Sequence, residues 1–134
     1  MELRSITMDD AEFLFELLKQ REGIINISHK SLPTWEEHID FIKNNDFKSW
    51  DIIIVNNEKI GNIYLSDRDE LGIFIDKKFQ DEGYGSQALE KFMEKNGKKR
   101  YLANINPTNH KSIQFFGKHG FEHFQNTYTK RFDE

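Results

Sequence analysis

The chain has 134 residues, 37% hydrophobic and 31% charged, with a net charge of −4 and no cysteine. That length suits one domain with a real core, expected over residues 1–134, and the acidic balance argues against a nucleic-acid partner. The lack of cysteine excludes disulfides, thiolate nucleophiles and cysteine-ligated metals. The lack of an apolar leader or a spanning apolar run leads us to expect a cytoplasmic protein.

Glu2 to Ile6 reads as a short strand. Thr7 then offers an N-cap, with Asp9 and Asp10 in the first turn, where acids complement the helix dipole. Ala11, Leu14, Phe15 and Leu18 follow at helical spacing and predict one apolar face. "IINISHKSLP" is an irregular connection, and its Asn26-Ile27-Ser28 sequon is read as chance without a secretory signal. A capping box, Thr34 with Glu37, opens a second helix expected to bury Trp35, Ile39 and Ile42. "WDIIIV" (50–55) and "KIGNIYL" (59–65) are β-branched runs joined by "NNE", a hairpin signal. After "SDRD", "ELGIFI" (70–75) is a third strand of the meander.

"FQDEGYGSQAL" comes next and runs into a helix with Ala88, Leu89, Phe92 and Met93 inward, stopped at Gly97. "YLANI" (101–105) reads as a strand and "NPTN" as a turn. A helix through Ile113 and Phe116 stops at Gly120. "FEHFQNTYTKRF" is expected to close the chain as one or two strands. The order β-α-α-β-β-β-α-β-α-β, without linker or repeat, predicts an α/β domain with a mixed sheet.

Glycines at 83 and 85, before a helix, admit two readings from the residues alone. Backbone amides at a helix N-terminus, free of side-chain bulk, make an anion site. A tight turn would need the same residues. Gly83-x-Gly85-x-x-Ala88 formally meets the dinucleotide fingerprint. However, Asp76 to Glu82 separate it from its strand, and no acid ends the next strand. No G-K-[S/T] follows, so a P-loop is absent. The five histidines show no metal-ligand pattern; His119 and His123 are split by Gly120-Phe121, and no metal site is expected.

The run "ELGIFIDKKFQDEGYGSQALEKF" resembles the signature of the GNAT (Gcn5-related) N-acetyltransferase superfamily: a strand, Q/R-x-x-G-x-G/A, then a helix. "YLANINPTNHKSIQFFGKHGF" resembles a second family block, with Asn109, Ser112, Phe116, Gly120 and Phe121 in the matching places. "LRSITMDDAEFLFELL" resembles the first strand and helix. The similarity spans nearly the whole chain in three ordered blocks. It implies a mainly antiparallel mixed sheet flanked by helices, in which the strands before and after the glycine-loop helix splay apart.

The resemblance implies acetyl-CoA as cosubstrate. Amides from Gln80 through Asp81, Glu82, Gly83, Tyr84 and Gly85 to Ser86 would hold its diphosphate. Backbone groups of Phe74 and Ile75 would pair with the pantetheine arm and polarise the thioester carbonyl. Asn109 would contact the cosubstrate, as would Phe116; Asn109 also reads as a helix cap. Glu70 is the expected base, with Asp67 and Asp69 as neighbours able to substitute. Phe116 stands where the family often carries a tyrosine that protonates the thiolate, and phenylalanine has no proton to give. Either Tyr84, Tyr128 or water serves instead, or the substrate ammonium returns the proton.

Acceptor contacts are expected from His29, Trp35, Asn104 and Tyr128. A small primary amine such as an amino sugar or polyamine is the expected acceptor. A protein amine, or a non-catalytic acyl-CoA sensor, is the alternative. With only fourteen residues after Gly120, the final sheet edge is short, and a homodimer could complete it.

Overall fold

A computed structural model describes residues 1–21 and 32–132. His29, the Asn26 sequon and most of the 24–33 connection lie outside the described residues. Five strands form one sheet in the order β1-β2-β3-β4-β5: β1 (Glu2–Ser5), β2 (Ser49–Val55), β3 (Glu58–Leu65), β4 (Glu70–Ile75) and β5 (Leu102–Ala103). The first four pair antiparallel, and β5 joins β4 in parallel. Among the described residues four helices accompany them: α1 (Ala11–Arg21), α2 (Trp35–Asn44), α3 (Tyr84–Asn96) and α4 (His110–Lys118).

Local chemistry sets most of these boundaries. Thr7 caps a 3-10 turn, Met8–Asp10, that leads into α1, and its own N–H donates to Asp10 Oδ2 at 2.8 Å. Thr34 and Glu37 form the reciprocal box that starts α2. Asn56 and Asn57 both have positive φ (52° and 65°) between β2 and β3, the conformation a two-residue hairpin turn requires.

The sheet separates two apolar layers. Ile53, Ile63, Leu71 and Ile75 pack with Ala88, Leu89 and Phe92 of α3 and Phe116 of α4. Ile52 and Phe74, on the opposite face, pack with Ala11, Leu14 and Leu17 of α1 and Ile42 of α2. The α1 stripe is therefore turned from the expected one. Leu17 is buried, whereas Phe15 is half-buried and packs its ring against Trp35 and His38 of α2. Trp35 is 42% exposed, contrary to the expected core position. His38 is buried in its place, donating from Nε2 to the Ala11 carbonyl at 2.8 Å, so that its polarity costs little.

Two further expectations fail. β5 has two residues rather than five, and residues 121–132 contain no strand. Among the described residues no helix is long and apolar enough to cross a membrane.

Asp10 anchors the start of the fold. It is fully buried, takes two hydrogen bonds from Arg4 (2.9 and 3.1 Å) and lies 2.7 Å from Lys59 Nζ on β3. Burial pushes its pKa up, but the bonds from Arg4, Lys59 and the Thr7 N–H outweigh this and hold it far below its ordinary 3.8. A depressed native pKa means that the carboxylate stabilises the fold fully above its unfolded value. That contribution is lost as pH falls below about 4. Asp10→Ala is expected to cost about 3 kcal/mol at pH 7. In urea melts the gap between the two proteins should narrow by pH 3; a gap independent of pH would contradict this.

Candidate functional site

β4 is the axis of the site. It pairs with β3 along its whole length, but with β5 only at Glu70↔Leu102 and Leu71↔Ala103. Beyond Leu71 no strand accompanies its outer edge among the described residues, and the two chains part as a wedge. Directly opposed residues of an antiparallel ladder alternate between bonded and unbonded pairs. Ser66 N–H donates to Glu70 O, and Asp76 N–H to Ile60 O. The bonded residues of β4 are therefore the even-numbered ones, and Ile73 and Ile75 turn their backbone groups into the wedge.

This corrects the expected pairing of Phe74 and Ile75 with a guest chain. Phe74 spends its N–H and C=O on Asn62 of β3, and its side chain packs in the α1 layer. The backbone groups that face the wedge are those of Ile73 and Ile75. The Ile75 carbonyl accepts Gln80 Nε2 at 2.7 Å, leaving the N–H of Ile75 and both groups of Ile73 for a ligand.

The wedge opens toward the glycine loop. Asp76 caps a 3-10 turn, Lys77–Phe79, and Asp81 and Gly83 then have φ of 65° and 82°. Gly83 starts α3 without any side-chain cap, and the first bond inside the helix runs from Gln87 N–H to Gly83 O. The amides of Tyr84, Gly85 and Ser86 therefore form an uncapped positive helix end beside the open strand edge. The Gln80 amide is differently placed, since it donates to Lys77 O at 3.4 Å. Asp81 and Glu82 are exposed, and Asp81 pairs with Lys111 at 3.3 Å. The two glycines differ in purpose: Gly83 supplies a left-handed residue, while a Cβ at Gly85 would press the Phe115 ring at 3.3 Å.

α4 closes this side. Asn109 caps it by accepting the Ser112 N–H at 3.2 Å, as the cap reading expected. Phe116 is buried, with its ring against Phe115 and Phe121. His119 bridges to α3, with Nε2 3.0 Å from Ser86 Oγ and Nδ1 2.5 Å from Glu90 Oε2. It ties the glycine-loop helix to α4. Among the described residues no three His, Asp or Glu side chains converge as a metal site.

The α1 face of β4 carries Glu70, Gly72 and Phe74. Glu70 stands half-buried at the closed end of the wedge, with Ser66 Oγ 3.4 Å from its Oε1 and accepting its N–H. The neighbouring Asp69 is held by Lys48 at 2.8 Å and Lys98 at 3.2 Å, and the bond from Lys48 leads in lowering its pKa. A Cβ on Gly72 would collide with Cζ and Oη of Tyr64, so the Tyr64 ring lies flat across this residue. Phe47 stacks on that ring at 4.3 Å and 2°, which fixes it. The Tyr64 hydroxyl has no hydrogen-bond partner among the described residues and stands over the middle of β4.

Beside Tyr64, a cavity of about 190 Å³ is walled by Phe41, Phe47 and Trp50 and closed by leucines of α1. Asn62 lies in its floor, its Oδ1 accepting Trp50 Nε1 at 2.9 Å. Arg21 stands at its edge, 5.7 Å from the centre of the Phe74 ring. The residues expected to meet an acceptor are dispersed by comparison. Trp35 lines a separate open groove with Glu12 and Glu16, Asn104 is exposed just past β5, and Tyr128 is 88% exposed.

Ile73, Tyr64 and the aromatic cavity escaped the sequence reading. Strand alternation alone could have found Ile73, since adjacent residues cannot turn backbone groups to the same edge. A glycine inside a strand likewise signals that something approaches the backbone closely, here Tyr64.

A family described as "Acetyltransferase (GNAT) domain" matches residues 1–122. No curated protein is similar enough to count as a relative. Among solved structures, an acetyltransferase from Thermus thermophilus is 23% identical with a TM-score of 0.75, covering 93% of this chain and 88% of its own. A ribosomal-protein-alanine N-acetyltransferase from Brucella melitensis is 20% identical with a TM-score of 0.76, covering 91% and 85%. AAC(6')-Iy, solved with the bisubstrate analogue CoA-S-monomethyl-acetylneamine, is 18% identical with a TM-score of 0.69, covering 97% and 96%. At these identities the likeness is one of fold.

Proposed function

From the premise that this chain belongs to the GNAT acetyltransferase family, we propose that it transfers the acetyl group of acetyl-CoA to the primary amine of a small molecule. The wedge beside β4 carries this reading. An unpaired edge at Ile73 and Ile75 meets an uncapped helix end, which suits an amide-bearing arm joined to a diphosphate. The amides of Tyr84, Gly85 and Ser86 hold the diphosphate, and the N–H groups of Ile73 and Ile75 pair with the arm and polarise the thioester carbonyl.

Acetylation forms a C–N bond and breaks a C–S bond, so a proton must leave nitrogen and one must reach sulfur. Glu70, at the closed end of the wedge, takes the first, directly or through water. Tyr64 supplies the second, because its free hydroxyl lies over β4 on the face where the amine enters. This removes the difficulty posed by Phe116.

Calorimetry with coenzyme A and thiol release with an amine panel test the reading. We expect saturable binding, weakened at least tenfold when Gly83→Pro distorts the loop, and turnover of at least one amine. Binding without turnover would favour the acyl-CoA sensor, and no binding would remove both.

A further inference from the structure

Resting on the acetyltransferase reading, we propose that the acceptor is an α-amino acid with an aromatic or branched apolar side chain, seated in the Tyr64–Trp50 cavity with its carboxylate on Arg21. The cavity's size limits the occupant. At about 190 Å³ it is close to the roughly 150 Å³ that holds benzene and below the usual range of drug-sized pockets. One ring or one branched alkyl group fills it, and its mainly apolar lining would leave most hydroxyls of a sugar ring without partners.

The walls limit its chemistry. Phe41, Phe47, Trp50 and Tyr64 contact one another edge-on or stacked, so they form a fixed aromatic box. Of its polar liners, Asn62 is engaged by the Trp50 indole and His38 by the Ala11 carbonyl, and the unengaged Tyr64 hydroxyl lies against Gly72 of β4. Among the described residues no Asp or Glu lines the cavity. A polyamine would thus lose its hydration without gaining a counter-ion.

Arg21 completes the argument. It is the charged residue lining the cavity, and it makes no ion pair among the described residues. Its guanidinium sits by the ring of Phe74, two positions along β4 from Gly72, a step of about 7 Å in a strand. The amine-to-carboxylate reach of an α-amino acid, together with a charge-assisted hydrogen bond of about 2.8 Å from Arg21, covers most of that step. With its carboxylate on Arg21 and its side chain in the box, its amine points to the Gly72–Ile73 edge, where the thioester is expected.

Steady-state thiol release should be compared for L-phenylalanine, L-leucine, 2-phenylethylamine, spermidine, glucosamine and an alanine-headed peptide. We expect phenylalanine or leucine to give the highest kcat/KM. Arg21→Met should lower that value about 10- to 100-fold through KM, with 2-phenylethylamine unaffected. In a Trp35→Phe background Trp50 is the remaining tryptophan, and its emission should change saturably with phenylalanine, independently of turnover. Preference for spermidine, glucosamine or the peptide would overturn this proposal and leave the acetyltransferase intact, as would an equal loss on both substrates in Arg21→Met. Coenzyme A binding without turnover of any amine would overturn the enzymatic reading and this one with it.

Discussion

Replacing Glu70 with glutamine is expected to cut kcat for amine acetylation by about 10²- to 10³-fold while acetyl-CoA affinity stays within about twofold. An amine is mostly protonated at neutral pH and cannot attack until a base removes its proton. Glu70 is placed for this, on the α1 face of β4 and one alternation from Gly72, where the strand edge becomes free. Glutamine has the same shape and can keep the contact with Ser66, so the melting temperature should hardly change. A fall of less than about threefold would move the base to water. Loss of coenzyme A binding would instead show that Glu70 supports the wedge.

Much of the fold was legible because it is written in short-range chemistry. Glu70–Ile75 has the predicted bounds, as do the Thr34–Glu37 box and the Gly97 stop. Each depends on neighbours within a few residues. The failures share the opposite cause. Whether Trp35 or His38 faces inward depends on where α1 lies, and the Ala11 carbonyl that satisfies His38 is 27 residues away. The 101–105 run could extend over five residues, but the chain parts from β4 after Ala103, so only two of them pair. The aromatic box draws residues from α2, the following loop, β2 and β3, a grouping that no local pattern announces. The proposed phosphate end of the site lies in one continuous segment, 79–89, and could be read directly. The proposed acceptor end is assembled across the sheet and could not.

Gly72→Val should be the most damaging single substitution on the acceptor side, lowering kcat/KM by about 10²-fold or more. The site has room for a glycine alone, since any Cβ there meets the Tyr64 ring. That ring cannot slide aside cheaply, because Phe47 stacks on one side of it and Trp50 packs against its edge. Valine favours strands, which offsets part of the strain. The net destabilisation should therefore be about 1–3 kcal/mol, the usual cost of overpacking. Two effects are combined here, and Tyr64→Phe and Tyr64→Ala separate them. Tyr64→Phe removes only the hydroxyl and should lower kcat about tenfold or more, with melting temperature and coenzyme A affinity kept. Tyr64→Ala in the Gly72→Val background removes the clash, so it should recover stability without recovering activity. Such a non-additive cycle is expected of residues in direct contact. If Tyr64→Phe matched the parent in kcat, the phenol would be only a wall of the acceptor cavity, and the sulfur would take its proton from water or from the departing ammonium.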